Sequence, residues 1–264
     1  MRIAALLVPT FIGVVLAEVE SAKSAEPTCP TGMVEASGYY CPHVEQTCLK
    51  WLDPDNPGVN GPVQCAEFAP SKCLSERLVL KRFCIDQYEW PNTFGELPQT
   101  QTSWLEMRNT CSAAGKRLCT GSEFTFACEG SGMKPYPYGD GYHRDSTVCN
   151  IDKAWINPFR MASKLKSDGT RVQTWVERPL SEVDQRERIG SHPRCVSDFG
   201  VYDLVGNVDE WVINESGRPF QSGLSGGHWA KGARNRCRPK TVAHNESFKF
   251  YETGGRCCKD AKQN

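Results

Sequence analysis

The chain has 264 residues, and its 31 Lys and Arg are balanced by 31 Asp and Glu, giving a formal net charge of zero at pH 7. That balance argues against nucleic acid as the main partner, which a basic surplus would attract. The 14 cysteines argue against a reducing cytosol, where they would be liabilities.

Met1 and Arg2 form a minimal positive start, and residues 3–16 are apolar except for Pro9, Thr10 and Gly13. Val15 and Ala17 then put small residues at the −3 and −1 positions of a cleavage site, so residues 1–17 are expected to be a secretory signal peptide. The rival reading is an uncleaved anchor, but the run is short against the ~20 residues that span a bilayer. Glu18, not cysteine, stands at the +1 position of the cut, which argues against a bacterial lipoprotein anchor. With no other segment apolar and long enough to cross a membrane, the mature protein is expected to be soluble and either secreted or periplasmic.

Residues 18–28 read as a short polar linker, and residues 53–62 (DPDNPGVNGP) as a loop dense in turn formers. Residues 82–89 alternate like a strand. A helix is expected over 104–114, with Ser103 as N-cap and Gly115 as the stop. Thr120 and Glu123 form a capping-box pattern for a second helix, with Phe124, Ala127 and Cys128 at helical spacing. Beyond it short strands and long loops are expected, and residues 201–211 (VYDLVGNVDEW) read as strand, Gly-Asn turn, strand. The basic stretch 234–240 (RNRCRPK) reads as a solvated strand face or an anion site. Zinc would need clustered Cys and His. Here only Cys257 and Cys258 are close, and the histidines at 43, 143, 192, 228 and 244 are scattered. Disulfides, at ~2–4 kcal/mol each, would offset the entropy cost of so much irregular backbone.

Five segments in order carry a resemblance. Residues 83–89 (FCIDQYE) with Asn92 resemble a strand written F-x-I-D-x-Y-E-V-T-N. Residues 114–118 (AGKRL) with Thr120 and Glu123 resemble A-G-K-R-L-P-T-E-A-E-W. Residues 136–139 (YPYG) and 149–151 (CNI) resemble Y-P-W-G … C-N. Residues 199–211 (FGVYDLVGNVDEW) resemble F-G-L-Y-D-M-V-G-N-V-W-E-W. Residues 226–229 (GGHW), Cys237-Arg238 and 254–256 (GGR) resemble R-G-G-S-W … C-R … G-F-R. The set resembles the formylglycine-generating enzyme family, or sulfatase-modifying factor domain. The resemblance implies one α+β domain over 29–258 with a C-type-lectin-like fold, low in regular structure and disulfide-stapled, and a tail over 259–264.

The family includes copper-dependent oxidases that convert a sulfatase Cys to formylglycine and iron-dependent sulfoxide synthases. Two cysteines shortly after the Gly-Gly-Ser motif hold Cu(I), which soft sulfur suits. Here the first position falls on Lys231 and the second near residues 234–236, Arg234 or Arg236 among them, so copper is not expected. The iron enzymes' separate helical domain and H-x3-H-x-E motif are absent from the sequence. His228, Trp229, Lys231 and Arg236 are left as a candidate pocket. Three readings compete: an exported non-catalytic binding or interaction module for a protein or small ligand, an enzyme of altered chemistry, and a formylglycine-generating oxidase with a shifted Cys pair. The resemblance also implies Ca²⁺ at Asp203, Gly206, Val208 and Glu210, all oxygen ligands, against a plain hairpin. A second site would begin at Asn150 and Ile151. It implies disulfides Cys111–Cys257 and Cys128–Cys237, while Cys29, Cys41, Cys48, Cys65, Cys73 and Cys84 are expected to pair largely among themselves.

Overall fold

The computed structural model describes residues 28–55 and 64–262. The signal peptide, the linker up to residue 27 and most of the loop 53–62 lie outside the described residues.

Strands β1 (Met33–Tyr40), β2 (Val44–Glu45), β3 (Cys48–Trp51), β4 (Cys65–Phe68), β5 (Lys72–Cys73) and β6 (Val79–Asp86) precede helix α1 (Trp104–Ala113). Strand β7 (Arg117–Leu118), helix α2 (Gly121–Glu129), strands β8 (Phe159–Leu165) and β9 (Arg171–Glu177) and the short helix α3 (Leu180–Val183) follow. Strands β10 (Asp209–Ile213), β11 (Ser222–Ser225), β12 (Lys240–Thr241), β13 (Thr253–Gly254) and β14 (Cys257–Asp260) complete the domain. Strand β14 runs two residues past the boundary expected at Cys258.

Both long helices start where the sequence supplies paired caps. Ser103 and Glu106, then Thr120 and Glu123, satisfy each other's backbone N–H groups. Trp104, Met107 and Cys111 form the buried face of α1, and α2 is buried on nearly every side. One four-stranded sheet has the order β1-β6-β14-β7 and a second β12-β11-β10-β13, beside the two-stranded pairs β2-β5, β3-β4 and β8-β9. Strands β1 and β6 pair antiparallel from Met33 opposite Asp86 to Tyr40 opposite Val79. Phe83, Ile85, Phe124, Phe126, Tyr136, Leu204 and Val212 share one core cluster, while Trp104, Met107, Leu118, Trp211 and Leu224 share another. The indole N–H groups of Trp104 and Trp211 donate to the carbonyls of Val212 and Thr102, at 3.0 and 2.7 Å, so neither large ring buries an unpaired donor.

All 14 cysteines are in disulfides. Cys29–Cys84, Cys41–Cys73 and Cys48–Cys65 staple the N-terminal third. Cys111–Cys257 and Cys128–Cys237 are the two pairs implied by the resemblance, joined by Cys119–Cys258 and Cys149–Cys195.

Two expectations need correction. Residues 201–208 are not a hairpin arm. Asp203, Gly206 and Asn207 each take positive φ, at 58°, 85° and 54°, and only β10 continues as strand. At Gly206 a Cβ would lie 2.3 Å from the carbonyl oxygen of Asn150, so the tight approach to that segment dictates the bend. The expected strand over 82–89 ends at Asp86, and the chain turns before Glu89. The β8–β9 ribbon was not foreseen. It leaves Phe159, Met161, Leu165 and Trp175 exposed.

Candidate functional site

The loop after β11 builds the first locus. Gly226 and Gly227 have φ of 86° and 70°, and a Cβ on Gly226 would meet the Leu204 carbonyl at 2.8 Å. Their freedom lets the chain turn beneath residues 234–235 and deliver His228. Its ring stands edge-on to Trp229 and Tyr251, at 5.5 and 6.0 Å between centroids. Asn235, itself buried, donates its side-chain N–H to the His228 carbonyl at 2.5 Å and closes the loop.

Arg234 donates to Asp209 Oδ1 at 2.7 Å beside that ring. Burial pushes the His228 imidazole down to about 4, with the Asp209 charge opposing the shift, so the ring is neutral at pH 7. Burial, with the Asp209 charge, raises the Glu252 carboxyl to about 7. Nε2 of His228 and Oε2 of Glu252 are buried without a hydrogen-bond partner among the described residues. The locus therefore offers a neutral imidazole and a carboxyl near its titration point, but no thiol.

The other two residues of the expected pocket lie elsewhere. Lys231 pairs with Asp53. Arg236 lies in a separate cleft of about 440 Å³ lined by Gln46, Cys48, Trp51, Cys65, Phe68 and Ala233. His228 and Trp229 thus stay together, while Lys231 and Arg236 do not join them.

The second locus lies under β10. Glu210 is held by Arg256 through two bonds of 2.7 Å, and both side chains are about 1 % exposed. Asp203 Oδ2 accepts from the Gly190 N–H at 3.2 Å. Glu89 accepts from the Val208 N–H at 2.9 Å and from Asn207 Nδ2 at 2.6 Å. Burial raises Asp203 to about 6 and Glu210 above its ordinary range. Glu89 is pushed well up by burial and by the charges of Asp203 and Glu210. Three buried carboxyls thus face one guanidinium, an excess of negative charge that a cation would offset.

The fit to calcium is uneven. Asp203 and the carbonyls of Gly206 and Val208 are oxygen donors of the right class. Glu210 is engaged by Arg256 at both oxygens. Among the described residues no group of three or more His, Cys, Asp or Glu side chains could hold a metal ion. An ion here would rely on backbone carbonyls as much as on carboxylates. Asn150 lies alongside, donating to Asn207 Oδ1 at 2.9 Å, and its Oδ1 is buried without a partner among the described residues. Ile151 contributes to the core.

Sequence reasoning missed Glu89, Asp209 and Glu252 as site residues. Glu89 and Asp209 stood inside quoted motifs and were legible as candidates. Glu252 carries no local signal, since only its approach to Asp209 gives it a role.

Comparison with known proteins follows the same outline. Residues 73–261 match the family model of the sulfatase-modifying factor enzyme 1-like domain. A relative in Bos taurus named inactive C-alpha-formylglycine-generating enzyme 2 is 30% identical over 122 residues, covering 46% of this chain and 34% of the relative. Its namesake in Mus musculus is 29% identical over 178 residues, covering 61% and 51%. The chain thus spans a third to a half of the length of these relatives. Among solved structures, PvdO from Pseudomonas aeruginosa is similar at 17% identity and a TM-score of 0.49, covering 86% of this chain and 94% of that one.

Proposed function

This chain belongs to the sulfatase-modifying factor enzyme 1-like domain family, and from that premise we propose that it is an exported, non-catalytic binding module acting outside the cytosol, with a structural calcium ion at Asp203. One observation carries the reading: none of the 14 cysteines is free. Oxidation of a peptide Cys by the family route needs thiolates to hold Cu(I) and the substrate sulfur. The loop after Trp229 supplies Lys231, Arg234 and Arg236 instead, and Cys237 is bonded to Cys128. Arg234 is engaged by Asp209 and Lys231 by Asp53, so these cations serve the fold rather than a metal. The two mammalian relatives are themselves named inactive, which supports the reading. Seven disulfides support an oxidising compartment, secreted or periplasmic.

The deciding assay is aldehyde formation on a Cys-x-Pro-x-Arg peptide with stoichiometric Cu(I) and O₂. No product above the enzyme-free control is expected. Turnover that disappears in Cys237→Ala would overturn the reading. For calcium, the support is the surplus of buried carboxyls around Asp203, and its test is developed in the Discussion.

A further inference from the structure

We propose that the cleft between the β3–β4 pair and the Ala233–Arg236 loop binds a small monocarboxylate carried on a flat apolar body, with Arg236 as the anion clamp. The walls are fixed before any ligand arrives. The Cys48–Cys65 disulfide ties β3 to β4, and the Tyr136 hydroxyl donates to the Cys65 carbonyl at 2.8 Å. Phe68 N–H donates to the Tyr142 carbonyl at 3.0 Å. On the other side, Cys237 N–H donates to the Pro135 carbonyl at 2.9 Å, and its sulfur is bonded to Cys128.

Arg236 stands apart from the neighbouring arginines. Arg144, Arg234, Arg238 and Arg256 each have a carboxylate, on Asp152, Asp209, Glu129 and Glu210. Arg236 has none within ion-pair distance among the described residues. Its contacts are the Gln46 amide oxygen at 3.5 Å and the face of Phe68 at 5.2 Å. Residues 56–63 (NPGVNGPV), which follow β3 in the chain, contain no Asp or Glu. Burial and the nearby Arg144 charge press its pKa down, as befits a guanidinium short of counter-charge. A partly desolvated cation without an anion carries a cost, and a bound carboxylate would offset it through a planar, two-pronged contact.

The rest of the lining is Trp51, Phe68, Ala233 and the disulfide, with Gln46 as the one neutral polar side chain. A volume of about 440 Å³ lies at the small end of the range for organic ligands. One guanidinium matches one negative charge. Lys231, two residues from Ala233, is already neutralised by Asp53, so a phosphate dianion would keep an uncompensated charge.

The test is calorimetric titration of the intact disulfide-bonded protein with 3-phenylpropionate, its neutral amide and inorganic phosphate. Saturable binding of the acid is expected, weakened at least about tenfold for the amide and for Arg236→Gln, and lost in Ala233→Leu, which fills the cleft. Phosphate should not compete. Arg236→Gln should keep or raise the melting temperature, because it removes an uncompensated half-buried charge, and so separates a ligand clamp from a structural ion pair. No heat from the acid at about 10 mM, equal affinity for acid and amide, unchanged affinity in Arg236→Gln, or competition by phosphate would each overturn the proposal. Aldehyde formation in the peptide assay would end the non-catalytic reading and leave this cleft standing, and failure here leaves that reading intact.

Discussion

Replacing Asp203 by Asn should stabilise the calcium-free protein at neutral pH, and the gain should be readable as a pH dependence. Asp203 is 3 % exposed, and burial raises its carboxyl from 3.8 to about 6. The unfolded chain releases this proton near pH 4, whereas the folded chain keeps it until about pH 6. Between those values the native state binds more protons, so stability falls as pH rises. The difference between the two values is worth about 3 kcal/mol. Asn has no proton to lose, keeps the oxygen that accepts from the Gly190 N–H, and tolerates the positive φ at this position. In excess chelator, Asp203→Asn and wild type should therefore melt together near pH 3.5 and diverge between pH 4 and 6. Above pH 7 the variant should lead by about 6–12 °C for a domain of this size. Millimolar Ca²⁺ should reverse the order at pH 7.5, because the ion stabilises only the ionised wild-type side chain. A variant no more stable than wild type in chelator, or a difference independent of pH, refutes the charge argument. A wild-type midpoint unmoved by Ca²⁺ after exhaustive chelation refutes the ion.

Other expectations are simpler to check. Thr120→Ala removes the hydroxyl half of the α2 capping box and should lower unfolding free energy by about 1 kcal/mol in urea titration. Glu129→Ala strands the Arg238 guanidinium, which now makes two bonds of 2.5 and 2.6 Å to that buried carboxylate, and should cost about 3–5 kcal/mol. Cys119→Ala with Cys258→Ala opens a bridge between residues 139 apart, and the guanidinium midpoint should report a loss of about 2–5 kcal/mol. Amides of the two-stranded β8–β9 ribbon should exchange with solvent far faster than those pairing β10 with β11, since a two-stranded ribbon alone is marginal.

The helices were legible because their signals are local. Ser103 with Glu106 and Thr120 with Glu123 lie three residues apart, and the cap needs nothing else. The 201–211 segment misled for the opposite reason. Gly206 and Asn207 look like a hairpin turn, but Asn207 spends its side chain on Glu89, Glu187 and Asn150, which come from three distant segments. Such contacts override the local preference and leave no trace in a short window. The candidate pocket failed similarly. Residues 228–236 are neighbours in sequence, yet Asn235 folds the loop so that His228 packs on Trp229 and Tyr251 while Arg236 lines the cleft beside β3 and β4. The β8–β9 ribbon does carry a local signal, Asp168-Gly169 at the turn followed by the alternating run of residues 171–177 (RVQTWVE).

Strand β14 lies between β6 and β7, and its adjacent cysteines are oxidised toward opposite sides, Cys257 to α1 and Cys258 to the end of β7. Synthesis delivers β6 and β7 as partners that do not touch, with a slot one strand wide between them. Nothing made earlier in the chain fills it. The domain cannot mature from its N-terminus onward as it emerges; it stays open until residues 257–260 arrive, and its high contact order makes that closure slow. The central slot therefore stays exposed until the last strand enters and its two disulfides lock it.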